Sequence, residues 1–206
     1  MILLGLSRAG KTSVGQLLAE QLRLPFYDTD EVIRIRTGLT PRQLCRQAGL
    51  PALHAAEAAA LHECCGLNCA GAVPLLGTAA APLAENLSAI TAEKCAVIAA
   101  GGGICDNAAA SPIIATIPLR IFLYAPESVL FERLTRDALK AGYYPAFLRF
   151  LPVARQAEAQ QCFAELYTHR TEWYRTCCNL IIDTSGLDCT AVVQKIVEQS
   201  HHFPRI

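Results

Sequence analysis

One stretch near the start, Gly5-Leu6-Ser7-Arg8-Ala9-Gly10-Lys11-Thr12, limits what this chain can fold into more than any other. It matches the pattern G-x-x-x-x-G-K-[ST] at every defined position. Ahead of it lies the apolar run Ile2-Leu3-Leu4, suited to a buried strand. Behind it Val14, Leu17, Leu18 and Leu22 recur at helical spacing. Strand, glycine loop and helix in that order make an anion cradle, because the backbone N–H groups of the loop and of the helix start point inward. Lys11 would reach the outer phosphates of a nucleotide, and the Thr12 hydroxyl would ligate Mg²⁺.

The rest of the chain reads as strands alternating with helices, which predicts a parallel sheet covered on both faces. Leu24–Tyr27, Cys95–Ala100, Leu119–Tyr124 and Asn179–Asp183 read as the later strands. Thr40-Pro41 looks like an N-cap followed by proline in the first helical turn, and Gly49-Leu50-Pro51 breaks that helix before a second one at 53–65. Helices are also expected at 83–94, 106–115, from 127, at 153–176 and at 188–199. A length of 206 residues suits one domain. The stretch 66–82, rich in Gly, Pro and Ala, reads as an insertion, and 137–150 as a mobile lid.

Net charge is zero, so no basic field argues for nucleic acid or a membrane surface. No apolar run reaches membrane-span length, and no leader precedes the first strand, so a cytoplasmic protein is expected. The 10 cysteines sit mostly in apolar surroundings and read as free thiols in a reducing compartment. The cluster His62, Cys64, Cys65 and Cys69 matches no standard zinc spacing.

Chemistry gathers at three further places. Asp28-Thr29-Asp30 follows the second strand, where open α/β sheets bind ligands, and alternate residues there share a face. One carboxylate can hold Mg²⁺ and the other can accept a proton from a hydroxyl; Asp30 also suits an N-cap. Gly101-Gly102-Gly103 ends the third strand and lets backbone approach a ligand closely. Arg170 and Tyr174 lie one helical turn apart.

The phosphate loop, the two aspartates, the triple glycine and the Arg170…Tyr174 pair occur in an order that resembles shikimate kinase, a small P-loop kinase of the nucleoside-monophosphate-kinase type. The resemblance implies a three-layer α/β/α fold with a central parallel five-stranded sheet. It implies transfer of the γ-phosphate of ATP to the 3-hydroxyl of shikimate. Arg8, Ala9, Gly10, Lys11, Thr12 and Ser13 would cradle the nucleotide and Arg133 would lie against the adenine. Thr12 and Asp28 would hold Mg²⁺, with Lys11 and Asp30 catalytic. Asp30, His54, Gly102 and Arg170 would bind the acceptor, Arg170 through its carboxylate. A monomer or weak oligomer is expected.

Three positions depart from the family pattern. His54 stands where a second carboxylate-binding arginine is usual, and histidine lacks the guanidinium fork. Tyr144-Pro145 replaces the lid's Arg-Pro pair, with Lys140 or Arg149 as nearby substitutes, while Arg46 lies close enough in sequence to help with a carboxylate. Arg8 stands where a small residue is common. These departures leave open two alternatives, a kinase of the same fold for another small hydroxylated metabolite and a non-catalytic nucleotide binder.

Overall fold

The computed structural model describes residues 1–66 and 96–200. Five parallel strands, β1 (Ile2–Leu4), β2 (Phe26–Asp28), β3 (Val97–Ala99), β4 (Arg120–Tyr124) and β5 (Leu180–Asp183), form one sheet in the order β2-β3-β1-β4-β5. Helices close over both faces, so β1 and β3 are buried throughout, as a parallel sheet requires. Every pairing is parallel, so each connection must cross back over the sheet and carries helix. The strand order reverses direction around β1, and the crevice at the carboxyl ends beside it is where such sheets take ligands.

The helices among the described residues are α1 (Lys11–Leu22), α2 (Thr29–Thr37), α3 (Pro41–Cys64), α4 (Ser111–Thr116), α5 (Glu127–Ala141), α6 (Gln156–Cys177) and α7 (Cys189–Ser200). A capping box opens α3: Thr40 Oγ1 accepts from Gln43 N–H, and the Gln43 side chain accepts from Thr40 N–H. Gly49, at φ 83°, kinks α3 two residues before Pro51, as the glycine–proline signal suggests. The main core joins Leu3, Leu18, Ile98, Phe122, Phe163, Tyr174 and Val193, drawn from strands and both helical layers.

Some expected bounds move. β2 ends on Asp28 rather than Tyr27, because Asp28 pairs in register with Ala99. The helix expected at 106–115 is instead a 3₁₀ turn, Ile104–Asp106, followed by α4. Asn107 causes the interruption: its Oδ1 accepts from Ala109 N–H at 3.1 Å, a local turn that competes with helix. α5 continues to Ala141, so residues 137–141 are helical. A 3₁₀ turn, Val153–Arg155, precedes α6. The helix expected at 83–94 and most of the 66–82 stretch lie outside the described residues.

All eight described cysteines are free, though Cys189 is exposed. No cluster of metal-ligating side chains occurs among the described residues; Cys69 is outside them. No described helix is long and apolar enough to cross a membrane.

Candidate active site

The loop after β1 wraps a cleft of about 540 Å³, lined among others by Ser7, Arg8, Gly10, Lys11, Thr12, Ser13, Asp28, Asp30, Arg42, Gly101 and Gly102. Gly10 caps α1 in the left-handed region, at φ 91°, which aims the following N–H groups at the loop's centre. Ala9 is buried beneath it. The Lys11 ammonium donates to the carbonyls of Gly5 at 2.8 Å and Leu6 at 2.9 Å. Burial lowers its pKa to about 8, opposed by the charges of Asp30 and Asp28.

Asp28 closes the other side. Its Oδ2 accepts from the Thr12 hydroxyl at 2.7 Å, while its Oδ1 accepts from Asp30 N–H at 3.0 Å. Asp28, not Asp30, is therefore the N-cap of α2, which leaves the Asp30 carboxyl free to face the cleft. Desolvation raises the Asp30 pKa, and the Asp28 charge raises it further, against the pull of Lys11. Thr29 between them is fully buried, and its Oγ1 accepts from Gly101 N–H at 3.0 Å. That bond fastens the aspartates to the end of β3; sequence reasoning passed over Thr29, since a threonine between two acids carries no signal of its own.

The three glycines are explained by contact distance. A Cβ on Gly101 would sit 2.8 Å from Asp30 Oδ1, and one on Gly102 would sit 2.7 Å from Ser7 N. Any side chain there would push the phosphate loop and the aspartates apart. Behind the glycines, the Gly102 carbonyl accepts from Arg170 Nη1 at 2.9 Å and from Tyr174 Oη at 3.2 Å. The pair one turn apart on α6 thus converges on one backbone oxygen. Arg170 Nη2 also donates to Asp106 Oδ2 at 2.8 Å.

Other expected residues fall less simply. Arg133 Nη1 donates to the Arg8 carbonyl at 2.9 Å, and Arg8 pairs with Asp137 of α5 at 2.8 Å. Both arginines therefore tie the phosphate loop to α5. The His54 side chain makes no hydrogen bond or ion pair among the described residues; its carbonyl accepts from Asn107 Nδ2 at 2.8 Å. The same amide donates to the buried Glu57, at 2.9 Å, whose pKa burial raises. Neither His54 nor Arg170 lines the main cleft.

Tyr144 is a core residue. It is fully buried, stacks on Phe131 at 5.8 Å and 11°, and lies 3.2 Å from Thr135 Oγ1 through its hydroxyl. Lys140 and Arg149 are exposed and do not line the cleft. Arg46 lies against the Phe150 ring, at 5.9 Å, also away from it. Besides Arg8 of the phosphate loop, Arg42 lines the cleft, from the first turn of α3. Its guanidinium rests on Phe150 at 4.3 Å and Tyr143 at 5.3 Å, and it makes no hydrogen bond or ion pair among the described residues. Nothing in the spacing of the chain links position 42 to the segment around 143–150, so sequence alone missed it.

A phosphate loop on the central strand, with a hydroxyl, two carboxylates and two strand-end glycines lining the same cleft, defines a P-loop small-molecule kinase. The shikimate kinase family model matches residues 8–90 and 82–201, and the chain belongs to that family. The shikimate kinase of Pseudomonas syringae pv. syringae (strain B728a) is 28% identical over 204 residues, covering 99% of this chain and 97% of the relative. That of Syntrophus aciditrophicus (strain SB) is 27% identical over 206 residues, covering 98% and 92%. Among solved structures, shikimate kinase from Acinetobacter baumannii in complex with shikimate superposes with a TM-score of 0.68 at 23% identity, covering 96% of this chain and 90% of that one. Shikimate kinase from Bacteroides thetaiotaomicron gives 0.69 at 23% identity, with 96% of each chain covered. At that identity the structures speak for the fold.

Proposed function

We propose that this chain transfers the γ-phosphoryl group of ATP to the 3-hydroxyl of shikimate, releasing ADP and a proton. The observation that carries the reading is the convergence of Lys11, the Thr12–Asp28 pair and Asp30 on one cleft in a chain of this family. The loop amides from Arg8 to Ser13 hold the phosphates, and Lys11 leaves its two carbonyl partners to follow the transferring group. Thr12 and Asp28 offer hard oxygen ligands already in contact, a donor set that fits Mg²⁺. When bound, the ion neutralises charge on the β- and γ-oxygens.

Asp30 orients the acceptor hydroxyl and takes its proton, for which a raised pKa suits it. Gly102 faces the acceptor ring, and Arg170 and His54 stand at the acceptor's carboxylate end. Arg133 supports the nucleotide through the Arg8 carbonyl. Arg42 supplies the positive charge that the lid's own Lys140 and Arg149, which do not line the cleft, do not bring there; propped on Tyr143 and Phe150, it moves with that segment. Residues 1–206 act as one domain, with 137–150 as its lid and 66–82 as an insertion. We place it in the cytoplasm as a monomer or weak oligomer, without nucleic-acid or membrane partners.

A coupled assay of ADP release with ATP, Mg²⁺ and shikimate tests this. Shikimate-dependent release that Lys11→Ala abolishes is expected. ATP binding without any shikimate-dependent release would overturn the acceptor, and no ATP binding would overturn the kinase.

A further inference from the structure

Arg170 is nearly enclosed, its side chain 9% exposed. Both terminal nitrogens are committed, Nη1 to the Gly102 carbonyl and Nη2 to Asp106. Gly103 leaves room for the guanidinium, since a Cβ there would lie 3.3 Å from Nη2. The Phe147 ring, which lines the cleft, lies 5.9 Å from its central carbon. Asp106 is the one carboxylate that pairs with Arg170 among the described residues. It ends the 3₁₀ turn that directly follows the triple glycine.

We infer that Asp106 is a specificity-determining residue: its carboxylate holds the place on Arg170 that an acceptor's carboxylate would take, and an anionic acceptor must displace it. The inference rests on the reading of Arg170 as the acceptor's carboxylate partner. A guanidinium paired with its own carboxylate is neutral as a pair, and with Nη1 also on a backbone oxygen it has only part of its fork left to offer. A second carboxylate arriving there meets Asp106 as a like charge at close range. His54 supplies no second fork to offset this. Asp106 has somewhere to go: its side chain is 38% exposed, and its Oδ1 lies 3.8 Å from His169 Nε2 and accepts from Cys105 Sγ at 3.5 Å. Swinging toward His169 would free Nη2 without unfolding the turn. The result is a pocket biased against anions relative to a neutral ring of the same shape.

Calorimetric titration of shikimate and of its neutral methyl ester into the whole chain, without nucleotide, reads this pocket apart from turnover. For Asp106→Asn and Asp106→Ala, shikimate is expected to bind about tenfold tighter, with the ester changed much less. In steady state the gain falls on KM for shikimate rather than on kcat. Asp106→Glu, which keeps the charge, shows no such gain. Shikimate binding that is unchanged or weaker in both neutral variants, with melting curves showing a folded protein, would make Asp106 a mere support for Arg170 and overturn the inference. If neither the parent chain nor the variants bind either compound while ATP still binds, the proposed acceptor itself fails, and this inference with it.

Discussion

The Thr12 hydroxyl donates to Asp28 Oδ2 at 2.7 Å, joining the first turn of the helix after the phosphate loop to the last residue of β2. The contact crosses 16 positions of sequence and holds together the two oxygens proposed to take Mg²⁺. Thr12→Val and Asp28→Asn should each raise the Mg²⁺ concentration for half-maximal activity by about tenfold or more, since the first removes an oxygen ligand and the second a carboxylate charge. The double variant should cost less than the sum, because the residues act as a pair. Additive effects on Mg²⁺ titrations would separate them.

Asp28 also raises the pKa of Asp30, after desolvation. In the metal-free protein, Asp28→Asn should therefore move the Asp30 titration downward, which carboxyl carbon chemical shifts would follow. An unmoved titration would mean that the two charges do not sense one another.

Burial holds Lys11 at about 8, below its ordinary 10.5. Above that value the free protein carries it largely neutral. The phosphates of ATP stabilise the ammonium, so binding must take up a proton there, and affinity must fall as pH rises through this range. Calorimetry at about pH 8.5 in buffers of different ionisation enthalpy should show uptake that Lys11→Met abolishes. Proton release, or none, would contradict the assignment.

Arg42 lies over the rings of Tyr143 and Phe150 with its N–H donors unpaired among the described residues. Arg42→Gln should lower kcat by about a hundredfold and raise KM for shikimate far less. Arg42→Lys should recover part of the rate. A loss confined to KM would move Arg42 from the transferring phosphate to the acceptor.

Restoring the family's lid arginine at position 144 should not repair the lid. Tyr144 is fully buried against Phe131, and a guanidinium there would be desolvated without a partner. Tyr144→Arg is expected to lose about 3 kcal/mol or more of stability in denaturant titrations, with no gain in kcat. Tyr144→Phe, which removes only the hydroxyl near Thr135, should cost about 1 kcal/mol.

The phosphate loop was readable because its chemistry is local. Glycines, lysine and threonine at fixed offsets between a strand and a helix specify backbone geometry within a dozen positions, and strand–helix alternation carried the parallel sheet with it. The same locality made the aspartates, the glycines and Arg170 visible as separate signals. Their junctions were not visible. That Asp28 rather than Asp30 caps α2 is a choice between near neighbours, while Thr29 on Gly101 and Asp106 on Arg170 are contacts across 72 and 64 positions. Side chains of unremarkable type make them, and only packing selects among them. Tyr144 is the plainest case. Its place in the order of motifs pointed to the lid's charge, but stacking on Phe131 turned it inward, and the arginine that meets Tyr143 of that segment at the cleft comes from α3 instead.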